Sequence, residues 1–216
     1  MRVHAVPSLV AAAVMLFASS IPSRAQDSTQ RRGWLVLGLG SGFADIACHG
    51  GGCTNGWNLH GPTLLETGGV MLTPRLGVGL GLDQWWRSPS DTEATNTGTF
   101  MLHYYPSVRA GAFIEVGAGL SEAEVRLNSS TVAEGKRWAL MASVGYEVPV
   151  FTLTRTDGIY DVTLTPRVSY IYSPIGELRY AAGRLPFATG WRHQVLSAGL
   201  GAGLTFRHGC LFRAIC

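Results

Sequence analysis

Residues 196–206 read Leu196-Ser197-Ala198-Gly199-Leu200-Gly201-Ala202-Gly203-Leu204-Thr205-Phe206, with an apolar side chain at every even position and glycine, serine or threonine at every odd one. Period two is the mark of a β-strand, whose successive side chains leave on opposite faces. The same rule governs residues 34–43, where Leu35, Leu37, Leu39 and Phe43 face away from Val36, Gly38, Gly40 and Gly42. In residues 76–86 it sets Leu76, Val78, Leu80 and Leu82 against Gly77, Gly79, Gly81 and Asp83. It returns at 110–120 and 138–146, and more weakly at 63–72, 99–105 and 162–172, so eight strands are expected.

The connections differ by side. Thr73-Pro74-Arg75, Pro106-Ser107-Val108 and Thr156-Asp157-Gly158 are compact turns, whereas 44–62, 87–98, 121–136 and 173–190 read as long polar loops. Short turns at one end and long loops at the other describe an up-and-down barrel. No linker interrupts that rhythm, so residues 26–216 are expected to form a single domain.

Which face carries the bulk decides the solvent. A barrel in water needs large side chains inside, and the face opposite the apolar one here is glycine, serine and threonine, which fill no core. An apolar outside is stable where lipid covers it and where ring closure satisfies every backbone N–H and C=O. Aromatic residues at strand ends, namely Trp34, Trp85, Trp86, Tyr104, Tyr105, Trp138, Tyr146, Tyr170, Tyr172, Trp191 and Phe206, are expected as interfacial girdles.

Composition narrows the remaining classes. Charged residues are 14% of the 216, well below an ordinary soluble domain, and the 28 glycines are near twice the usual share, which excludes disorder and coiled coil. Arg2 and His4 precede an apolar run at 5–17, and Ser23-Arg24-Ala25 offers the small residues of a cleavage site. Residues 1–25 are therefore expected to be a secretory signal. Losing Arg2 and Arg24 from a formal charge of +3 leaves a nearly neutral chain, with no footprint for nucleic acid. The glycine-rich runs lack the strand–loop–helix context of a nucleotide site. Four cysteines in an exported chain point to disulfides, as two local pairs, Cys48 with Cys53 and Cys210 with Cys216. Zinc on Cys48, His49, Cys53 and His60 is the weaker alternative, because that spacing matches no common module.

On these features the chain resembles the eight-stranded outer-membrane barrel family of OmpA-like and OmpX-like proteins, over nearly all of residues 26–216. It departs from them in running past Phe206 to Cys216. The resemblance implies a monomeric, all-β, eight-stranded antiparallel up-and-down transmembrane barrel in a bacterial outer membrane. Turns would lie on the periplasmic side, and long outer loops would meet an extracellular partner. Eight strands enclose room only for side chains, so the lumen would be plugged rather than open. Glu66, Asp83, Glu115 and Arg167, joined by His103, Arg109 and Arg137, would then form a structural charge network inside it. A proton or ion path is the alternative role. No catalytic, cofactor or metal site is expected. The competing readings are a membrane-embedded lipid hydrolase using His193 and Ser197, which stand about 13 Å apart along one strand, and a secreted soluble barrel holding an apolar ligand.

Overall fold

The computed structural model describes residues 31–49, 56–87, 91–107, 110–127, 130–156, 158–180 and 186–209. The signal segment, Cys53, Cys210, Cys216 and Arg109 lie outside the described residues, as does the side chain of Cys48. Nine strands follow in chain order: β1 (Gly33–His49), β2 (Gly56–Met71), β3 (Leu76–Trp86), β4 (Asp91–Tyr104), β5 (Ala112–Leu127), β6 (Ser130–Tyr146), β7 (Val148–Arg155), β8 (Gly158–Tyr180) and β9 (Pro186–Gly209). Each pairs antiparallel with its neighbours in the order β6-β5-β4-β3-β2-β1-β9-β8-β7, and a further β6–β8 pairing closes the ring.

The ring has the eight walls that the alternation implies, because β6 and β7 are one wall broken at Glu147. Gly145 pairs with Arg167 and Val148 with Leu164, so the register on β8 runs straight through the break. Closure requires stagger. Paired residues lead from Gly145 through Arg167, Gly199, Gly40, Thr63, Trp85, Thr95 and Ala123 back to β6 at Gly135. A circuit therefore advances ten residues along the strand. With about 3.3 Å per residue and about 4.8 Å between strands, that stagger tilts the strands by about 40°.

Burial follows parity, inside out. Leu35, Leu37 and Leu39 are exposed, the last at 68%, while Trp34 and Val36 between them are buried. On β5, Ile114 and Val116 are exposed and Glu115 is 1% exposed. Buried hydroxyls of Thr63, Thr67, Thr97, Thr99, Ser121, Thr163, Thr165 and Ser197 line the inside. Apolar side chains thus face outward around a polar lumen, the arrangement of a barrel that spans a membrane.

Two expectations change. The long loops are mostly strand: β1 runs on to His49, β4 begins at Asp91, β5 reaches Leu127, and β8 and β9 are 23 and 24 residues long. Apolar alternation on the outer face marks only the lipid-facing stretch, whereas ladder pairing continues above it around a buried apolar cluster that includes Ile46, Ile175, Leu178 and Trp191. At 24 residues β9 rises about 60 Å along the barrel axis against a belt of about 25 Å. Four of the expected girdle aromatics, Trp34, Trp85, Tyr105 and Trp191, are instead buried in the lumen. They occupy the parity of the glycines, which make room for them: a Cβ on Gly69 would lie 2.4 Å from the Trp34 ring, and one on Gly77 would lie 2.6 Å from it. Phe206 is also buried, edge-on to Tyr160. Tyr104, Trp138, Tyr146 and Tyr170 do face outward.

Candidate functional site

Four consecutive walls, β4, β5, β6 and β8, send side chains to one point in the lumen, where His103 pairs in register with Glu115 and Glu115 with Ser143. Glu115, on β5, receives Arg167 Nη1 from β8 at 2.7 Å on one carboxylate oxygen, and the Ser143 hydroxyl from β6 donates to that same oxygen at 2.8 Å. His103 Nδ1, from β4, lies 2.8 Å from the other. All four residues are buried. Both carboxylate oxygens are thereby satisfied, and the cluster ties β4, β5, β6 and β8 across the lumen.

Asp83, also buried, lies within the field of Arg167 and within hydrogen-bonding reach of Ser169. Its Oδ1 has no hydrogen-bond partner among the described residues, nor do Arg167 Nε and His103 Nε2. Of the four expected network residues, Glu115 and Arg167 therefore meet directly, with His103 as a third member and Asp83 buried within the field of Arg167. Glu66 does not join them. It pairs with Leu37 on β1, which is exposed, and with Leu82 on β3, which shares that parity although buried, so it stands on the outer face. The misplacement comes from a parity that one strand of weak alternation could not define: Thr63 and Thr67 are the inward residues of β2, which puts Glu66 outside. Arg137 is exposed at the loop end.

Aromatic rings close the lumen at both ends of the cluster. At the turn end, the His103 ring lies 4.4 Å from Trp34, 4.5 Å from Tyr105 and 4.7 Å from Phe113. Arg31 crosses below them, its guanidinium 4.2 Å from the Tyr105 ring and its Nη2 3.3 Å from Glu147 Oε2. Towards the loop end, Trp85 packs at 5.6 Å against His193, with Ile46, Trp191 and Val195 in the same buried cluster. His193 and Ser197, the hydrolase pair considered from sequence, both face this lumen. Ser197 bonds Ser169 at 2.7 Å, and neither ring nitrogen of His193 has a hydrogen-bond partner among the described residues.

Sequence reasoning missed a contact on the outside. Ser41 Oγ on β1 and His60 Nε2 on β2 are 2.6 Å apart, both exposed. The two are 19 positions apart in sequence, and only the β1–β2 register, with Phe43 opposite His60, brings them together. Above the belt, a cleft of about 410 Å³ opens among the hairpins. Glu122, Glu134, Lys136, Arg137, Glu177 and Arg179 line it, with Lys136 and Glu122 paired at 3.1 Å.

No family model and no curated protein matches the chain. Among solved structures it is similar to Neisserial surface protein A, at 16% identity and a TM-score of 0.47 over 78% of this chain and 96% of that one. It is also similar to Ail, the attachment invasion locus protein of Yersinia pestis, in complex with a heparin analogue, at 12% identity and 0.49 over 80% and 99%. The outer membrane protein OprG from Pseudomonas aeruginosa is a third, at 14% identity and 0.37 over 84% and 99%.

Proposed function

We propose that the chain is an integral protein of a bacterial outer membrane, a plugged barrel that conducts nothing and presents its tall outer hairpins to the surroundings. The observation that carries this reading is the inversion of burial. Leu39 at 68% and Leu120 at 60% exposure stand on the wall, while Glu115 and His103 are buried at the centre. Water would penalise that outer surface, and a bilayer rewards it. A closed antiparallel barrel with a secretory signal ahead of it is the form in which strands cross a bacterial outer membrane.

Support for the absence of a pore is steric. Trp34, Trp85 and Tyr105 are almost wholly buried within the ring, and the Glu115–Arg167 pair bridges what space is left between them. The surface role is supported by strands that overshoot the belt and by the charged cleft they enclose. The paired charges of that cleft suit a polar, zwitterionic or sulfated partner more than an apolar one.

The test is fractionation with a heat-modifiability gel, followed by planar-bilayer recording. The expected results are retention in the detergent-requiring outer-membrane fraction, a mobility shift on boiling, and no conductance steps. Recovery in the soluble periplasm without a shift would overturn the membrane reading. Regular steps would overturn the plug alone.

A further inference from the structure

We propose that Ser41 and His60 form a nucleophile–base pair on the outer wall that hydrolyses the acyl ester of a lipid, an activity that rests on the membrane-embedded reading. Ser41 Oγ and His60 Nε2 are 2.6 Å apart and both side chains are exposed, so a reacting group can reach them. A serine hydroxyl is a weak nucleophile until a base within hydrogen-bond distance takes its proton, and this separation meets that condition. The Phe43 ring, 5.1 Å from the imidazole, fixes its position on the wall.

Level on the barrel selects the substrate. Along the outer face of β1 the residues run Leu35, Leu37, Leu39, Ser41 and Phe43 before Asp45. Gln84 on β3 and Asn96 on β4 mark the same change from aliphatic to polar. The pair therefore stands in the upper part of the apolar belt, one outward residue below Asp45 and Gln194, where a lipid's acyl chain lies against leucines and its ester comes level with the first polar side chains.

The chemistry balances with water as the only co-reactant. Ser41 Oγ adds to the ester carbonyl carbon while its proton passes to His60 Nε2. The bond from that carbon to the lipid alcohol oxygen then breaks, and the alcohol leaves with the proton. Water attacks the acyl-serine with His60 again as base, releasing the fatty acid and restoring the Ser41 hydroxyl.

The full mature chain is refolded into vesicles of phosphatidylethanolamine and phosphatidylglycerol, with and without lipopolysaccharide, and released fatty acid is measured. The two vesicle arms separate phospholipid from lipopolysaccharide as the ester source. A fluorophosphonate probe, whose fluoride an activated serine displaces, reports on Ser41 by mass spectrometry. Release is expected to fall by at least about 100-fold in Ser41→Ala and in His60→Gln, with labelling lost and the heat-modifiable band retained. A heat-modifiable wild type that releases no fatty acid in either arm, or a Ser41→Ala variant that releases it at the wild-type rate, overturns the proposal. A wild type that neither inserts nor shifts on the gel overturns the membrane reading, and the proposed activity falls with it.

Discussion

Arg167 Nη1 lies 2.7 Å from Glu115 Oε2, yet their strands, β8 and β5, share no ladder, and the contact passes over β6 inside the barrel. It acts as a girder between walls that backbone hydrogen bonds do not join. Removing one partner leaves a buried charge without its nearest counter-ion. Glu115→Gln is therefore expected to lower the unfolding free energy by about 3 kcal/mol, with Arg167→Met alike. Glu115→Leu combined with Arg167→Met should lose much less than the two single losses together. Urea unfolding from vesicles, followed by tryptophan fluorescence, measures all three. Additive losses would show that the two charges do not depend on one another.

Glycines on this barrel divide by what surrounds them, and a neighbouring pair shows it. A Cβ on Gly119 of β5 would lie 1.9 Å from the backbone oxygen of Gly98, whereas a Cβ on Gly98 of β4 would meet nothing within 4 Å. Gly119→Ala must move backbone and is expected to destabilise by about 2 kcal/mol or more. Gly98→Ala should stay within about 0.5 kcal/mol of the wild type. Equal midpoints for the two variants in the same urea titration would refute the packing difference.

The barrel was legible because lipid writes its signature on one face: Leu35, Leu37 and Leu39 need no neighbour to be read as outward. Parity failed where that signature is thin. Glu66 is flanked by Leu64, Leu65, Thr67 and Gly68, which do not say which face is which, and only its pairing with Leu37 and Leu82 does. The aromatics were misread for another reason. Trp34 and Trp85 sit at strand ends, as girdle residues do, but on the glycine parity, and that parity is the stronger signal. Long-range partnerships such as Ser41 with His60, or His103 with Glu115 and Arg167, depend on register and stagger, which no single stretch of sequence encodes.

Glu66 stands on the lipid-facing wall between Leu37 and Leu82, half-buried and with no hydrogen-bond partner among the described residues. A carboxyl group facing hydrocarbon costs stability whether it sheds its proton or keeps it. Glu66→Leu is therefore expected to raise the unfolding free energy by about 1–2 kcal/mol in vesicles, an unusual direction for a core-belt substitution. The same urea titration reads it. A destabilised Glu66→Leu would mean that the carboxylate faces something other than lipid.

Where the chain enters the barrel, several contacts fasten it across the turn end. The Arg32 N–H donates to the Phe206 carbonyl, and the Met71 N–H donates to the Arg32 carbonyl at 2.8 Å. Arg31 reaches Glu147 at 3.3 Å, and the Tyr105 hydroxyl donates to the other Glu147 oxygen at 2.7 Å. Glu147 thereby anchors the entering chain at the break between β6 and β7. Trypsin needs the backbone around Arg31 to lift away before it can cut, so its rate there follows the population of the opened form. Glu147→Gln keeps an acceptor for Tyr105 but removes the charge facing Arg31, a loss of about 1 kcal/mol for a partly exposed pair. Cleavage at Arg31 in detergent is then expected to quicken about fivefold. Arg155, exposed at the far end of β7 and paired there with Gly158, provides the internal reference, because it lies a whole strand away from Glu147 and its cleavage should not change. A Glu147→Gln protein cut at both sites at wild-type rates would show that the entering chain is held by its backbone bonds alone.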